Sequence, residues 1–180
     1  MSLMRTADAR RLAEECLATS LPERWCHVQG VAARAVEVSQ TGADDDPVVS
    51  AAWLHDVGYA PVARDSGLHA LDGARYLAGL GADPMVVSLV AFHTGAEYEA
   101  EERGLERELE FVPRPEQVLL DALILCDLTV SPTGKPVSVT ARLDEIVARY
   151  PEGDPVHRAV LRSRGYREAC CERAQSVLSP

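Results

Sequence analysis

Apolar residues recur along this chain at helical intervals, in blocks separated by glycine, proline and aspartate. Between Thr6 and Ala18, Leu12, Ala13, Cys16 and Leu17 fall on one face, which predicts an amphipathic first helix packed as an outer layer. Ser20-Leu21-Pro22-Glu23 has the spacing of a capped helix start, and a second helix is expected from there to about Gln40. Gly42 and Asp44-Asp45-Asp46-Pro47 stop that helix and cap a third, Val48 to Val57, which Gly58 ends. The stretch Val48 to Leu54 is almost wholly apolar, so this helix belongs in the middle of the domain.

The same reading gives a loop over Tyr59 to Gly67 and a fourth helix over Leu68 to Leu80. Gly81-Ala82-Asp83-Pro84 stops it and caps a fifth through Phe92, and Glu97 to Gly104 reads as a short, charged surface helix. Val118 to Leu128 is again strongly apolar, and the turn Ser131 to Pro136 leads to two amphipathic helices, Val137 to Arg149 and Val156 to Val177. No segment alternates with period two between turn signals. The expected fold class is therefore all-α, a single-domain helical bundle without internal repeats or a dividing linker.

Composition adds bounds. A chain of 180 residues with 47% apolar and 26% charged side chains can bury a core of its own without disulfides. Met1-Ser2-Leu3 ahead of Met4 reads as a cloning remnant, which leaves residues 4 to 180 as one domain. The formal charge of −10 repels a phosphate backbone, so extended nucleic acid is not an expected partner, whereas a small anion met by local positive charge is. The five cysteines, Cys16, Cys26, Cys126, Cys170 and Cys171, are odd in number and show no CxxC spacing, and packed free thiols in a reducing cytoplasm explain them. With no apolar run of membrane-spanning length and no basic-then-apolar start, a cytoplasmic protein that neither spans nor touches a membrane is expected.

The chemistry concentrates on polar residues set into the most apolar helices. His55-Asp56 closes the third helix, where the negative end of the helix dipole favours a cation. Adjacent helical residues diverge by about 100°, so this pair would grip one ion from two sides or Asp56 would bridge two. His27 interrupts Trp25-Cys26-His27-Val28, and Asp127 interrupts Ile124-Leu125-Cys126-Asp127-Leu128. Taken singly, His27 reads as a satisfied core histidine and Asp127 as a cap of the following turn. An ionised aspartate buried without a partner would cost several kcal/mol, so Asp127 needs a cation, a hydrogen-bond network or exposure.

The order His27, His55-Asp56, Asp127 resembles the H…HD…D signature of the HD-domain superfamily of metal-dependent phosphohydrolases. Leu54-His55-Asp56-Val57-Gly58 is similar to that family's LHDIG-like core, His69-Ala70-Leu71-Asp72-Gly73-Ala74 to its H-x-x-x-G-A helix start, and Ala91-Phe92-His93-Thr94 to its AxxHT segment. The likeness covers roughly residues 20 to 130, with the closing helices, about 137 to 178, less diagnostic.

It implies a helical bundle in which His27, His55, Asp56 and Asp127 bind a divalent metal. His69 and His93 would hold a second ion, touch substrate or support the other ligands. Arg24, one turn before His27, falls where the family often has an arginine, and reads either as a phosphate contact beside a catalytic Asp56 or as a solvated residue of the helix start. Many members carry lysine after the HD-x-G element where this chain has Tyr59, which leaves no lysine role to carry over. His157 and Lys135 match nothing and are expected at the surface.

A mixed imidazole and carboxylate set suits Mn, Fe, Co, Ni or Zn, as one ion or two. The activity implied is hydrolysis of a small phosphate ester, a nucleotide foremost, by metal-activated water. The same six-ligand pattern serves dinuclear-iron oxygenases of the family, and a catalytically silent metal- or ligand-binding module is the third reading. Pocket walls are expected in the Tyr59 to Gly67 and Gly95 to Gly104 stretches, and a homodimer would suit such a bundle.

Overall fold

The computed structural model of the protein describes residues 6–39 and 46–178. In chain order its helices are α1 (Thr6–Leu17), α2 (Pro22–Val38), α3 (Pro47–Leu54), α4 (His69–Gly79), α5 (Pro84–Phe92), α6 (Ala96–Arg103), α7 (Glu106–Leu109), α8 (Gln117–Leu128), α9 (Val139–Arg149) and α10 (Pro155–Leu178). Single 3-10 turns lie at Val57–Tyr59 and His93–Gly95. Among the described residues the only β pairing is an isolated bridge between Val130 and Pro136, so the fold is all-α. The Met1-Ser2-Leu3 remnant, and the helix stop read at Gly42, Asp44 and Asp45, lie outside the described residues.

Three helices begin with the same device. Asp46, Asp83 and Asp154 each precede a proline and accept a hydrogen bond from the backbone N–H two residues on, at 2.8, 2.7 and 2.7 Å. Proline then fills a position whose N–H a helix start leaves unpaired, and its fixed φ suits the first turn.

The apolar helices form the centre, as their composition predicts. α3 packs on α1, α2, α5 and α8, while α10 crosses α8, α6 and α9. Leu54, Leu71, Leu89, Leu120, Leu123, Ile124, Leu125 and Leu128 are wholly buried there, each stabilising the fold by about 1.5–3 kcal/mol. The two ends of this centre are tied by Asp121 of α8, which accepts from Arg173 of α10 through both oxygens at 2.7 Å. No helix among the described residues is long and apolar enough to cross a membrane.

Several local expectations are corrected. Ser20 does not cap α2: its hydroxyl donates to the Cys16 carbonyl at 2.7 Å, and Leu21 occupies the cap position without a side-chain bond. α3 stops at Leu54 and not at Val57, because Asp56 leaves the helical region with φ −101° and ψ 4°. The 96–103 helix is not a surface element, since Glu99 and Ala100 are buried beneath α10. Cys26 is exposed, so packing does not explain it, whereas Cys16, Cys126, Cys170 and Cys171 are buried free thiols. His157 is half-buried, its Nδ1 donating to the Tyr150 carbonyl at 2.8 Å to join the end of α9 to α10.

Candidate metal centre

The early end of α3 creates the site. At the junction His55 and Asp56 stay within 3.5 Å of each other, and each also joins its own set of neighbours. His55 meets His27 from α2 and Asp127 from α8, while Asp56 meets His69 at the start of α4 and His93 after α5. Within each triad the ligand-type atoms lie within 4.8 Å of one another. The triads adjoin: His55 Nε2 is 3.5 Å from Asp56 Oδ2, and the His55 and His93 ring centres are 5.2 Å apart.

Backbone carbonyls set the tautomers. Nδ1 of His27, His55 and His93 faces the carbonyl of Ser131, Ala52 and Val90 at 3.0, 2.8 and 2.5 Å. A carbonyl only accepts, so each Nδ1 carries a proton, and in the neutral rings of His55 and His93 Nε2 turns a lone pair into the cluster; His27 Nε2 does the same only when it is not donating to Asp127. This is the arrangement in which an imidazole ligates a metal through one nitrogen while a hydrogen bond from the other fixes its ring.

The atoms that face inward fit a cation. His55 Nε2 is buried without a hydrogen-bond partner among the described residues, an orphan that is costly unless something bonds it. His27 Nε2 and Asp127 Oδ1 approach to 2.9 Å, and His69 Nε2 and His93 Nε2 to 3.1 Å. Two lone-pair atoms hold such a separation only by sharing a proton or an ion. His/Asp groups of this kind could hold a divalent metal, and the nitrogen and oxygen donors match one.

The field of the cluster splits its imidazoles. Burial first, and His55 second, pushes His93 down to about 4, and burial followed by the neighbouring His93 holds His69 well below its ordinary value. His27 is raised: burial would lower it, but the hydrogen bond to Asp127 and the charges of Asp127 and Asp56 outweigh that. The two carboxylates remain ionised. For Asp56 the opposing effect of burial is exceeded by Arg24, His55, His27 and His69, and for Asp127 by the His27 bond and the nearby imidazoles.

Unfolded, His69 and His93 take up protons near pH 6.5; folded, they resist them. Their contribution is thus complete above that pH and drains away as pH falls toward the depressed folded values, by about 1.4 kcal/mol per pH unit for each. His27, with its raised value, adds no slope below pH 6.5, because both its states are then protonated. The protein in chelator is therefore expected to melt at a lower temperature at pH 5 than at pH 7, and a melting point that holds or rises on acidification contradicts the assignment.

Arg24 stands beside the centre and not out in solvent. Its Nη1 donates to Asp56 Oδ2 at 2.8 Å, and its guanidinium lies 3.8 Å from the centre of the Tyr59 ring. Tyr59 stacks in turn on His69 at 4.1 Å, so the residue that replaces the family's lysine orients a candidate ligand. Gly58 brings these pieces together, since a Cβ on it would lie 1.9 Å from the His69 carbonyl oxygen. Lys135 is exposed, as expected of a turn residue.

Other contributors were not legible. Asp72 is buried and accepts from the backbone of Asp65, Ser66 and Gly67 at 3.0, 2.9 and 3.2 Å and from the Ser66 hydroxyl at 2.6 Å, so it pins the loop that leads into His69. It sits inside the H-x-x-x-G-A element, and a lone aspartate in an apolar stretch was the available signal. Thr94 turns the chain behind His93 with φ 51°, a strained value for a β-branched residue. The walls of the cleft also depart from expectation. Tyr59 comes from the first anticipated stretch and Glu99 from the second, but Arg142, Ile146, Arg149 and Tyr150 come from α9 and its end, and Val156, Val160 and Arg167 from α10.

The protein is thus an all-α bundle whose centre holds two adjoining His/Asp triads that could hold metal ions. Comparison with family models matches the HD domain over residues 24–128, more than half of the chain, and the protein belongs to the HD-domain family. That family places it within a superfamily of metal-dependent hydrolases. No curated protein and no solved structure matches the chain.

Proposed function

We propose that this protein hydrolyses a small phosphate ester, nucleotides being the first class to test, with His27, His55 and Asp127 holding one divalent ion and Asp56, His69 and His93 a second. The observation that carries this reading is the convergence of six residues from distant segments into two adjoining triads, with Nδ1 of His27, His55 and His93 held by backbone carbonyls so that Nε2 faces the cluster. The donor set favours Mn, Fe, Co, Ni or Zn over Mg or Ca. Ions bound there supply Lewis acidity, acidifying water and offsetting charge on phosphoryl oxygens.

The chain's own residues orient and exclude. Arg24 fixes the Asp56 carboxylate from one side, and Tyr59, packed between Arg24 and His69, keeps water from that side of the ring. Ala52 and Val90 carbonyls hold His55 and His93 in the tautomer that leaves Nε2 free to bind. A neighbouring cavity of about 590 Å³, which shares Arg24 and His27 with the cleft, is large enough for the rest of a small ester.

Elemental analysis of the purified protein, paired with phosphate release from a panel of esters, tests the reading. Two ions per chain and hydrolysis that stops with chelator are expected, with activity falling below about pH 6 as protons compete for the imidazoles. The same pair of triads would also serve a dinuclear-iron oxygenase, and two irons per chain with substrate-dependent dioxygen uptake would favour that chemistry. Tight ligand binding without any product would favour a silent binding module.

A further inference from the structure

The two closing helices lie beyond the family match, yet they set two buried arginines into the cleft above the triads. Arg167 of α10 is only 6% exposed, and its Nε donates to the Ser163 hydroxyl at 2.7 Å. Among the described residues no carboxylate comes within ion-pair distance of it. Arg142 of α9, also 6% exposed, gives Nη1 to Glu145 at 2.5 Å, while its Nε is buried with no partner. The acidic groups nearby are committed elsewhere: Glu99 to Arg103 at 2.7 Å, Glu145 to Arg149 as well as Arg142, and Asp127 to His27.

A guanidinium taken from water without a counter-charge is unfavourable, and its planar fork of donors matches the oxygens of a phosphoryl group. Burial, only partly offset by the more distant charges of Asp127 and Glu99, lowers the Arg167 guanidinium to about 10, which leaves it charged at neutral pH. The space is graded. The inner cleft, lined by both arginines and by His27, Asp127, Asp56 and His69 of the triads, holds about 60 Å³, and the outer cavity of about 590 Å³ shares Arg24, His27, Arg142 and Arg149 with it. A terminal phosphoryl group suits the inner space, with the remainder of its molecule outside. A diester would need room on both sides of its phosphorus.

We propose that Arg142 and Arg167 form an anion site for the terminal phosphoryl group of a phosphate monoester, so that α9 and α10 select monoesters over diesters. The proposal rests on the phosphate-ester reading for its substrate but is tested by binding. Inorganic phosphate is titrated calorimetrically into the metal-loaded protein and into Arg167→Met, Arg142→Met and Arg167→Lys, with metal content measured on each. The dissociation constant is expected to rise about tenfold or more in the methionine variants and less in Arg167→Lys, which keeps the charge and loses the fork. Metal content should stay unchanged, and Arg167→Met should melt no lower than the parent, since a buried unpaired cation has gone.

Methyl phosphate should compete with inorganic phosphate, and dimethyl phosphate should not. Phosphate affinity that is absent in the parent or unchanged in the methionine variants, or equal competition by both esters, overturns the site. If Arg167→Met fails to fold, Arg142→Met and Arg167→Lys carry the same comparison. Arginine-dependent phosphate binding with no ester hydrolysed would instead refute the hydrolase reading and leave this site standing.

Discussion

Asp56→Ala is expected to reduce ester hydrolysis about a thousandfold or more while the bundle remains folded. Its carboxylate is the link between the two triads: Oδ2 lies 2.8 Å from Arg24 and 3.5 Å from His55, and Oδ1 lies 3.7 Å from His69. Removing it takes a donor from one triad and strips Arg24 of its counter-charge, placing a free cation where a metal would bind. Metal stabilisation of a phosphoryl transition state amounts to several kcal/mol, and about 4 kcal/mol corresponds to a thousandfold in rate. The measurements are initial-rate phosphate release, metal content by elemental analysis and a circular dichroism melt. Rates that persist in a folded variant depleted of metal would remove Asp56 from the proposed chemistry.

Gly58→Ala is expected to damage stability and the centre together, although the change adds one methyl group. A Cβ there would sit 1.9 Å from the His69 carbonyl oxygen and 2.6 Å from the Gly73 nitrogen, and both are backbone atoms of α4 that no rotamer change can move aside. Overpacking of a side chain typically costs about 1–3 kcal/mol, and a clash with backbone should exceed that, at about 4 kcal/mol. Relief requires α4 to back away, which carries His69 from His93 and Asp56. Gly79→Ala is the control, because nothing lies within 4 Å of a Cβ at that position; it is expected to be neutral or to stabilise by up to about 1 kcal/mol. Denaturant melts of both variants, with metal content, check the pair. An unperturbed Gly58→Ala protein would mean that the turn at Val57–Tyr59 can move away from α4 at little cost.

Most of the fold was legible because its cause is local. The apolar faces of α1 and α10 repeat at helical spacing, α5 and α8 are apolar nearly throughout, and the aspartate-proline starts of α3 and α5 name their own first residues. Where reading failed, a competing contact took the signal. Ser20 has the spacing of a cap for α2, but the Cys16 carbonyl at the end of α1 claims its hydroxyl. The 96–103 segment is rich in glutamate, yet α10 covers it, and Glu102 and Glu101 become partners of Arg158 and Arg162 on that helix. Charge alone does not reveal that a helix will be roofed by another sixty residues away.

The sequence by itself determined that the chain is a helical bundle, and it put histidine and aspartate into apolar helices in the order of the HD signature. Only the tertiary structure decided how those residues divide. His27 and Asp127 are 100 residues apart when they meet at 2.9 Å, and the adjacent His55 and Asp56 serve two triads that adjoin at this pair. It also decided that Arg142 and Arg167 overlook the cluster, with no motif to announce them. The reason is range: helical periodicity and capping act within a few residues, whereas the direction of a buried side chain and the identity of its partner are set by how distant helices pack.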